Sequence, residues 1–140
     1  MVVVVFDADV LIGFLSRDDA HHAAAVDRMR RALRSDTQRV VSAVNYTEVL
    51  IGPLRTAGGA GARTVDTMLT RFGIETIPVD MTLAKRAGAV RVRTTLKLPD
   101  AYAVATAVHA EQHSNGDVRL ETFDEKVAHA YSQLRVPGGK

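Results

Sequence analysis

Two hydrophobic rhythms alternate along the chain. Short β-branched runs at Val2–Phe6, Arg39–Ser42, Ile74–Val79 and Val118–Phe123 predict strands. Between them apolar residues recur at three- and four-residue spacing. They predict helices over Val10–Leu15, Asp19–Arg34, Val44–Arg55, Ala62–Phe72, Met81–Thr95, Asp100–His113 and Glu125–Leu134. Such alternation argues for an α/β fold in which a mainly parallel sheet lies between helices, a three-layer α/β/α arrangement in one domain spanning residues 1–140. Ala57-Gly58-Gly59-Ala60-Gly61 reads as a surface loop joining two helices. It is no phosphate cradle, because it follows a helix and lacks the lysine of a P-loop. Residues 136–140, ending Pro137-Gly138-Gly139-Lys140, read as a frayed tail.

Composition narrows the possibilities. The 140 residues are 46% hydrophobic, enough for one core that buries roughly 68–70% of the unfolded surface. The absence of cysteine excludes disulfides, thiolate catalysis and cysteine-bound zinc. The N-terminal apolar run has no basic flank and is interrupted by Asp7 and Asp9, unlike a secretory signal. No stretch approaches the ~20 apolar residues of a membrane helix. The expected setting is therefore soluble and cytoplasmic.

Four acidic residues change the picture further. Asp7 ends the first strand, where a buried carboxylate is costly unless it is paired or binds a cation, and where ligands collect in α/β proteins. Its simpler reading is a helix N-cap. Glu48 lies among Val44, Tyr46, Val49, Leu50, Ile51, Pro53 and Leu54, on a helix that the pattern predicts to be buried nearly all round. Asp100 follows Pro99 at the start of an Ala- and Val-rich central helix, and Asp124 follows the last strand. Capping competes with function at both positions. Asp80 has the same strand-end setting and reads as a plain cap. If the four other carboxylates share one pocket, the formal +2 of the chain becomes +6 on the remainder. An acidic hole in a basic surface suits an enzyme that binds a cation and acts on a polyanion.

The stretches Val4-Val5-Phe6-Asp7-Ala8-Asp9-Val10-Leu11-Ile12 and Val41-Ser42-Ala43-Val44-Asn45-Tyr46-Thr47-Glu48-Val49-Leu50 are followed by Leu98-Pro99-Asp100-Ala101-Tyr102-Ala103-Val104-Ala105-Thr106-Ala107 and Glu121-Thr122-Phe123-Asp124. In order, spacing and overall length this series resembles the PIN-domain ribonucleases, most closely the VapC-type toxins of bacterial toxin–antitoxin pairs. The resemblance implies that Asp7, Glu48, Asp100 and Asp124 form an acidic quartet for Mg²⁺ or Mn²⁺, with Thr122 supporting it through a hydroxyl hydrogen bond. It further implies an endoribonuclease leaving a 5′-phosphate and a 3′-hydroxyl, a small DNA-binding antitoxin as partner, and a homodimer. Asp9 stands where the family often has a small polar residue, as an extra ligand or a helix cap. Asp117 ranks below Asp124 because it precedes the last strand. Hard divalent cations take oxygen ligands, so carboxylates are the right side chains.

Basic residues supply candidate RNA contacts. Arg28, Arg30, Arg31 and Arg34 crowd one helix, while Arg91, Arg93 and Lys97 lead up to Asp100; the second group is the more attractive because it lies close to a proposed ligand, and a solvated helix face is its plainer reading. Tyr46 and Tyr102 read as core residues more than stacking platforms. His109 and His113 sit four apart with Glu111 between them, but a zincin places its glutamate directly after the first histidine, and a zinc protease is rejected. His21, His22 and His129 read as surface residues. Two other classes compete. Asp-Ala-Asp-Val-Leu after a strand also resembles haloacid dehalogenase-type phosphatases, with Asp7 as nucleophile, but Asp124 and Lys126 match the rest of that pattern poorly. A non-catalytic RNA-binding module on the same fold is the third class.

Overall fold

In a computed structural model that describes residues 1–135, the first strand, β1 (Val2–Phe6), is buried on both faces. Val3 and Val5 belong to one apolar cluster, Val4 and Phe6 to the other. This follows from the two-residue period of a strand, and it explains why β1 is a continuous apolar run rather than an alternating one. Around it lie α1 (Ala8–Leu15), α2 (His22–Ala32), β2 (Thr37–Ser42), α3 (Ala43–Arg71), β3 (Ile74–Ile77), α4 (Met81–Arg93), α5 (Leu98–His113), β4 (Asp117–Glu121) and α6 (Glu125–Leu134). The Val4/Phe6 cluster includes Val10, Met29 and Val65 of α1, α2 and α3; the Val3/Val5 cluster includes Leu83, Val104 and Val127 of α4, α5 and α6. The chain thus forms three layers.

The sheet order is β3-β2-β1-β4 and every pairing is parallel. The chain winds outward from β1 through β2 to β3, then crosses back to place β4 on the other side of β1. The winding direction reverses between β1 and β4, which is where open α/β sheets bind ligands. Phe6 pairs with both Val41 and Glu121, so the residues following β1, β2 and β4 emerge at one edge. The Asp7 N–H extends the ladder by donating to Glu121 O at 2.9 Å.

Three expectations need correction. Ala57–Gly61 is not an open loop. Helical structure runs through it, broken only at Gly58, whose φ of 56° and ψ of −134° reverse the chain. In a straight helix Tyr46 and Asp66 would stand ~30 Å apart; instead the Tyr46 hydroxyl donates to Asp66 Oδ1 at 2.5 Å. The two halves pack so closely that a Cβ on Gly61 would lie 2.0 Å from the Pro53 carbonyl oxygen. Secondly, the helix carrying Glu48 is not buried all round, since Ile51 and Leu54 are 45% and 44% exposed. Thirdly, α5 begins at Leu98 rather than Asp100, because Pro99 is tolerated in a first turn, where its missing N–H would have had no partner. The expected tail at 136–140 lies outside the described residues.

Candidate functional site

Asp7 is 3% exposed at the C-terminal end of the central strand. Its Oδ1 accepts from the Ala8 N–H at 2.8 Å and its Oδ2 from the Thr122 hydroxyl at 2.8 Å. A normal cap would reach the N–H two or three residues on, so Asp7 satisfies itself locally while its carboxylate faces β4. Burial raises its pKa to about 7, with the charge of Asp9 adding to the effect and that of Asp100 contributing less. The Thr122 and Ala8 hydrogen bonds oppose the shift.

Thr122 ties three acidic residues together. A hydroxyl has one proton to donate; the 2.8 Å bond to Asp7 takes it, while Asp9 Oδ2 stands further off at 3.4 Å. The same oxygen accepts from the Asp124 N–H at 3.1 Å. Asp9 is in the first turn of α1 and is not its cap. Its Oδ2 accepts from the Phe123 N–H at 3.0 Å, whereas its Oδ1 is buried with no hydrogen-bond partner. Burial pushes the Asp9 carboxyl upward as well, against the hydrogen bond from the Phe123 N–H and with the help of Asp124.

The other members arrive from α3, α5 and α6. Asp124 caps α6, its Oδ1 accepting from the Lys126 and Val127 N–H groups at 2.8 and 3.4 Å. Asp100 sits inside the first turn of α5, where Lys97 is the cap. Burial raises the pKa of Asp100, followed in size by the charges of Asp124, Glu48 and Asp9, while Lys97 lowers it. Glu48 is held by Asn45, a residue with no exposed surface. The Asn45 amide donates to Glu48 Oε1 and to the Pro99 carbonyl, both at 3.0 Å. One amide thereby fixes Glu48 against the turn that carries Asp100. Asp117 begins β4, about 13 Å of strand away from the edge where the others gather, and it does not join them.

Sequence reasoning missed two supporting residues. Asn45 lay inside a quoted motif without a role, and its burial was its only signal. Arg28 was grouped with the other arginines of α2 as a substrate contact, yet it turns inward to brace the segment after β4. Its guanidinium donates to Glu121 Oε1 at 2.6 Å and to the Thr122 carbonyl at 3.3 Å, and lies 4.9 Å from the Phe123 ring centre. His21 stacks on the same ring at 4.6 Å. By contrast Arg30 and Arg31 pair only with Asp27 on the exposed face of α2. Arg91 and Arg93 fall in the last turn of α4 and Lys97 caps α5; all three are exposed.

The donor set suits a hard divalent cation. It is made of carboxylate oxygens, and the buried, unpartnered Asp9 Oδ1 is an acceptor still in need of positive charge. Among the described residues, no three acidic or histidine side chains already close around one point.

The sequence pattern of the PIN domain matches residues 4–133. The chain belongs to the PIN domain family. The match spans every strand of the sheet and each of the acidic positions described above. Solved structures agree on the fold of this PIN domain. The Mycobacterium tuberculosis toxin VapC20, described as cleaving the sarcin-ricin loop, superposes with a TM-score of 0.70 at 17% identity, over 91% of this chain and 94% of its own. A toxin–antitoxin complex from Klebsiella pneumoniae gives 0.65 at 24% identity, over 89% and 90%. VapBC-1 from nontypeable Haemophilus influenzae gives 0.68 at 14% identity, over 95% of each chain. No curated protein matches this chain in sequence.

Proposed function

We propose that this PIN domain is a metal-dependent endoribonuclease and the toxin of a VapBC-type toxin–antitoxin pair. The observation that carries this reading is the convergence of Asp7, Asp9, Glu48, Asp100 and Asp124 at the sheet's switch point, with a buried Asp9 oxygen left unpartnered. Asp7, Glu48, Asp100 and Asp124 hold Mg²⁺ or Mn²⁺ in this reading, and Asp9 joins them as a further ligand. When bound, the metal lowers the pKa of water to yield a nucleophile and offsets charge on the leaving oxygen. The protein's own part is positional. Thr122 turns the Asp7 carboxylate, Asn45 holds Glu48 beside Asp100, and Arg28 steadies the turn that carries Thr122 and Asp124. Without positive charge among them, the carboxylates repel one another and some keep their protons. Both Asp7 oxygens are engaged in hydrogen bonds, which suits a held ligand better than the attacking nucleophile of a phosphatase.

The products are a 5′-phosphate and a 3′-hydroxyl. The antitoxin partner is supported by the toxin–antitoxin complexes among the solved structures of the same fold. Self-association as a homodimer is part of the same reading; the exposed Ile51 and Leu54 of α3 offer apolar surface for it. Among the described residues no helix is long and apolar enough to cross a membrane, in keeping with action on RNA in the cytoplasm. The deciding assay incubates purified protein with total cellular RNA in Mg²⁺, Mn²⁺ or EDTA. Discrete fragments that require metal and disappear in Asp7→Asn are expected; intact RNA under every condition would overturn the reading.

A further inference from the structure

A groove of about 570 Å³ runs between the α4–α5 turn and α6, within the roughly 300–1,000 Å³ of sites that take small organic ligands. One wall is Arg93-Thr94-Thr95-Leu96; the other is the α6 face that includes Lys126, His129 and Gln133. Each wall leads into the carboxylate cluster. Lys126 is two residues beyond Asp124 and donates its backbone N–H to the Asp124 carboxylate, while Leu96 precedes Asp100 by four residues. The groove therefore starts beside the Asp100–Asp124 pair and follows α6 outward for ~13 Å, at 1.5 Å per residue.

The chemistry of the walls is that of a backbone-binding channel. Arg93 and Lys126 are exposed, and neither makes an ion pair among the described residues. Thr95 and Gln133 add neutral hydrogen-bonding groups, while the Thr94 hydroxyl is committed to the Val90 carbonyl and the Leu96 N–H, and Leu96, Ala130 and Leu134 give an apolar floor. Among the described residues, Glu125 is the only acidic one lining it. Among the described lining residues His129 supplies the one ring, too little for a row of stacked bases, so the groove suits phosphate and ribose. A second groove of about 540 Å³ between α1 and the second half of α3 is also basic, with Arg63 and Arg71. None of the clustered carboxylates lines or adjoins it.

We propose that the groove between the α4–α5 turn and α6 is the subsite for the single-stranded RNA flanking the cleaved bond, with Arg93 and Lys126 on its phosphates and Thr95 and Gln133 on phosphate or 2′-hydroxyl oxygens. This rests on the ribonuclease reading and adds where the strand lies. It also divides the sequence-derived basic trio: Arg93 lines the channel, whereas Lys97, whose charge acts on Asp100, and Arg91 do not.

The test uses Arg93→Gln, Lys126→Gln and, as a basic control from the other groove, Arg63→Gln. Gln at 126 keeps the backbone N–H that caps α6 on Asp124. Steady-state cleavage in Mg²⁺ should show KM raised about five- to tenfold in each groove variant with kcat within about twofold, the signature of lost uniform binding. In the Asp7→Asn background, anisotropy with a fluorescein-labelled single-stranded RNA should show the salt slope of log K falling by ~0.7 per groove charge removed. Arg63→Gln should match its parent in both assays. Cleavage with unchanged KM and salt slope in the groove variants would overturn the subsite, leave the nuclease reading standing, and turn attention to a protein occupant. Equal losses in Arg63→Gln would also overturn it, by reducing the effect to overall charge. RNA left intact by the unaltered protein would instead sink the nuclease reading itself.

Discussion

Asp7 and Asp80 occupy matching points of the chain, each after a parallel strand and at the start of a helix. Asp80 follows β3, the outer strand of the sheet. It is exposed, and its Oδ1 accepts from the Leu83 N–H at 2.8 Å as an ordinary N-cap. Asp7 follows β1, which has neighbours on both sides, so its carboxylate is enclosed by β4 and faces further acids brought in by α3, α5 and α6. The same residue at the same local junction thus has two different jobs. What separates them is position relative to the reversal in strand order, because only there do several strand ends and helix starts converge. A helix cap needs one turn of chain; a cation site needs the whole topology.

The widest separation is expected in catalysis. Asp7→Asn should lower RNA cleavage by at least ~100-fold, since loss of residues that merely orient metal ligands already costs 10–100-fold. Asp80→Asn should stay within about twofold, because asparagine caps a helix nearly as well. A comparable activity loss in both variants would erase the distinction drawn between the two junctions.

A step below this lie the residues that hold the acids in place. Thr122→Val keeps shape but removes the hydroxyl shared by Asp7 and the Asp124 N–H. Arg28→Met removes the brace from Glu121 and the Thr122 carbonyl. Each should raise the Mg²⁺ concentration for half-maximal cleavage about 10–100-fold while saturating metal restores much of the rate. Arg28→Lys should recover only part, because a single ammonium lacks the planar fork that serves two acceptors. Metal titrations that overlay the parent's would reduce Arg28 to a surface residue and Thr122 to packing.

Much of this contrast is legible in the sequence, and the exceptions have physical causes. Val2–Phe6 announces a central strand because a short run of β-branched and aromatic residues with an acidic stop suits a strand covered on both faces. The acidic quartet was legible only through family resemblance, since Asp7, Asp80 and Asp124 look alike one at a time and only the sheet order sorts them. Gly58 misled because Ala-Gly-Gly-Ala-Gly reads as loop, whereas alanine favours helix and a single positive-φ glycine suffices to reverse it. The Glu48 helix misled because apolar content does not guarantee burial, as Ile51 and Leu54 show. Arg28 was hidden because its partner Glu121 lies 93 residues away, and no local pattern separates it from Arg30 and Arg31.

Stability provides the smallest and most diagnostic contrast. The Asp7 carboxyl titrates at about 7 when folded, against 3.8 for the free side chain. Between those values the folded state binds more protons than the unfolded one, so stability falls as pH rises through the window and levels off above it. Asp9 and Asp100 are shifted in the same direction and reinforce the slope. Measured in EDTA, the melting temperature should therefore drop from pH 5 to pH 8, and Mg²⁺ should restore it at the higher pH by binding the folded state. Asp7→Asn removes the largest contributor and should raise the metal-free melting temperature at pH 8. A shift of this size corresponds to at most ~4 kcal/mol at 1.36 kcal/mol per pKa unit. Relaxation and water entry reduce that, and a gain of about 1–3 kcal/mol is expected. Asp80→Ala should do the opposite and by less, losing ~1 kcal/mol of capping at both pH values. If Asp7→Asn instead destabilises the metal-free protein at pH 8, as Asp80→Ala should, then Asp7 is only a cap, and the burial of its charge serves no cation.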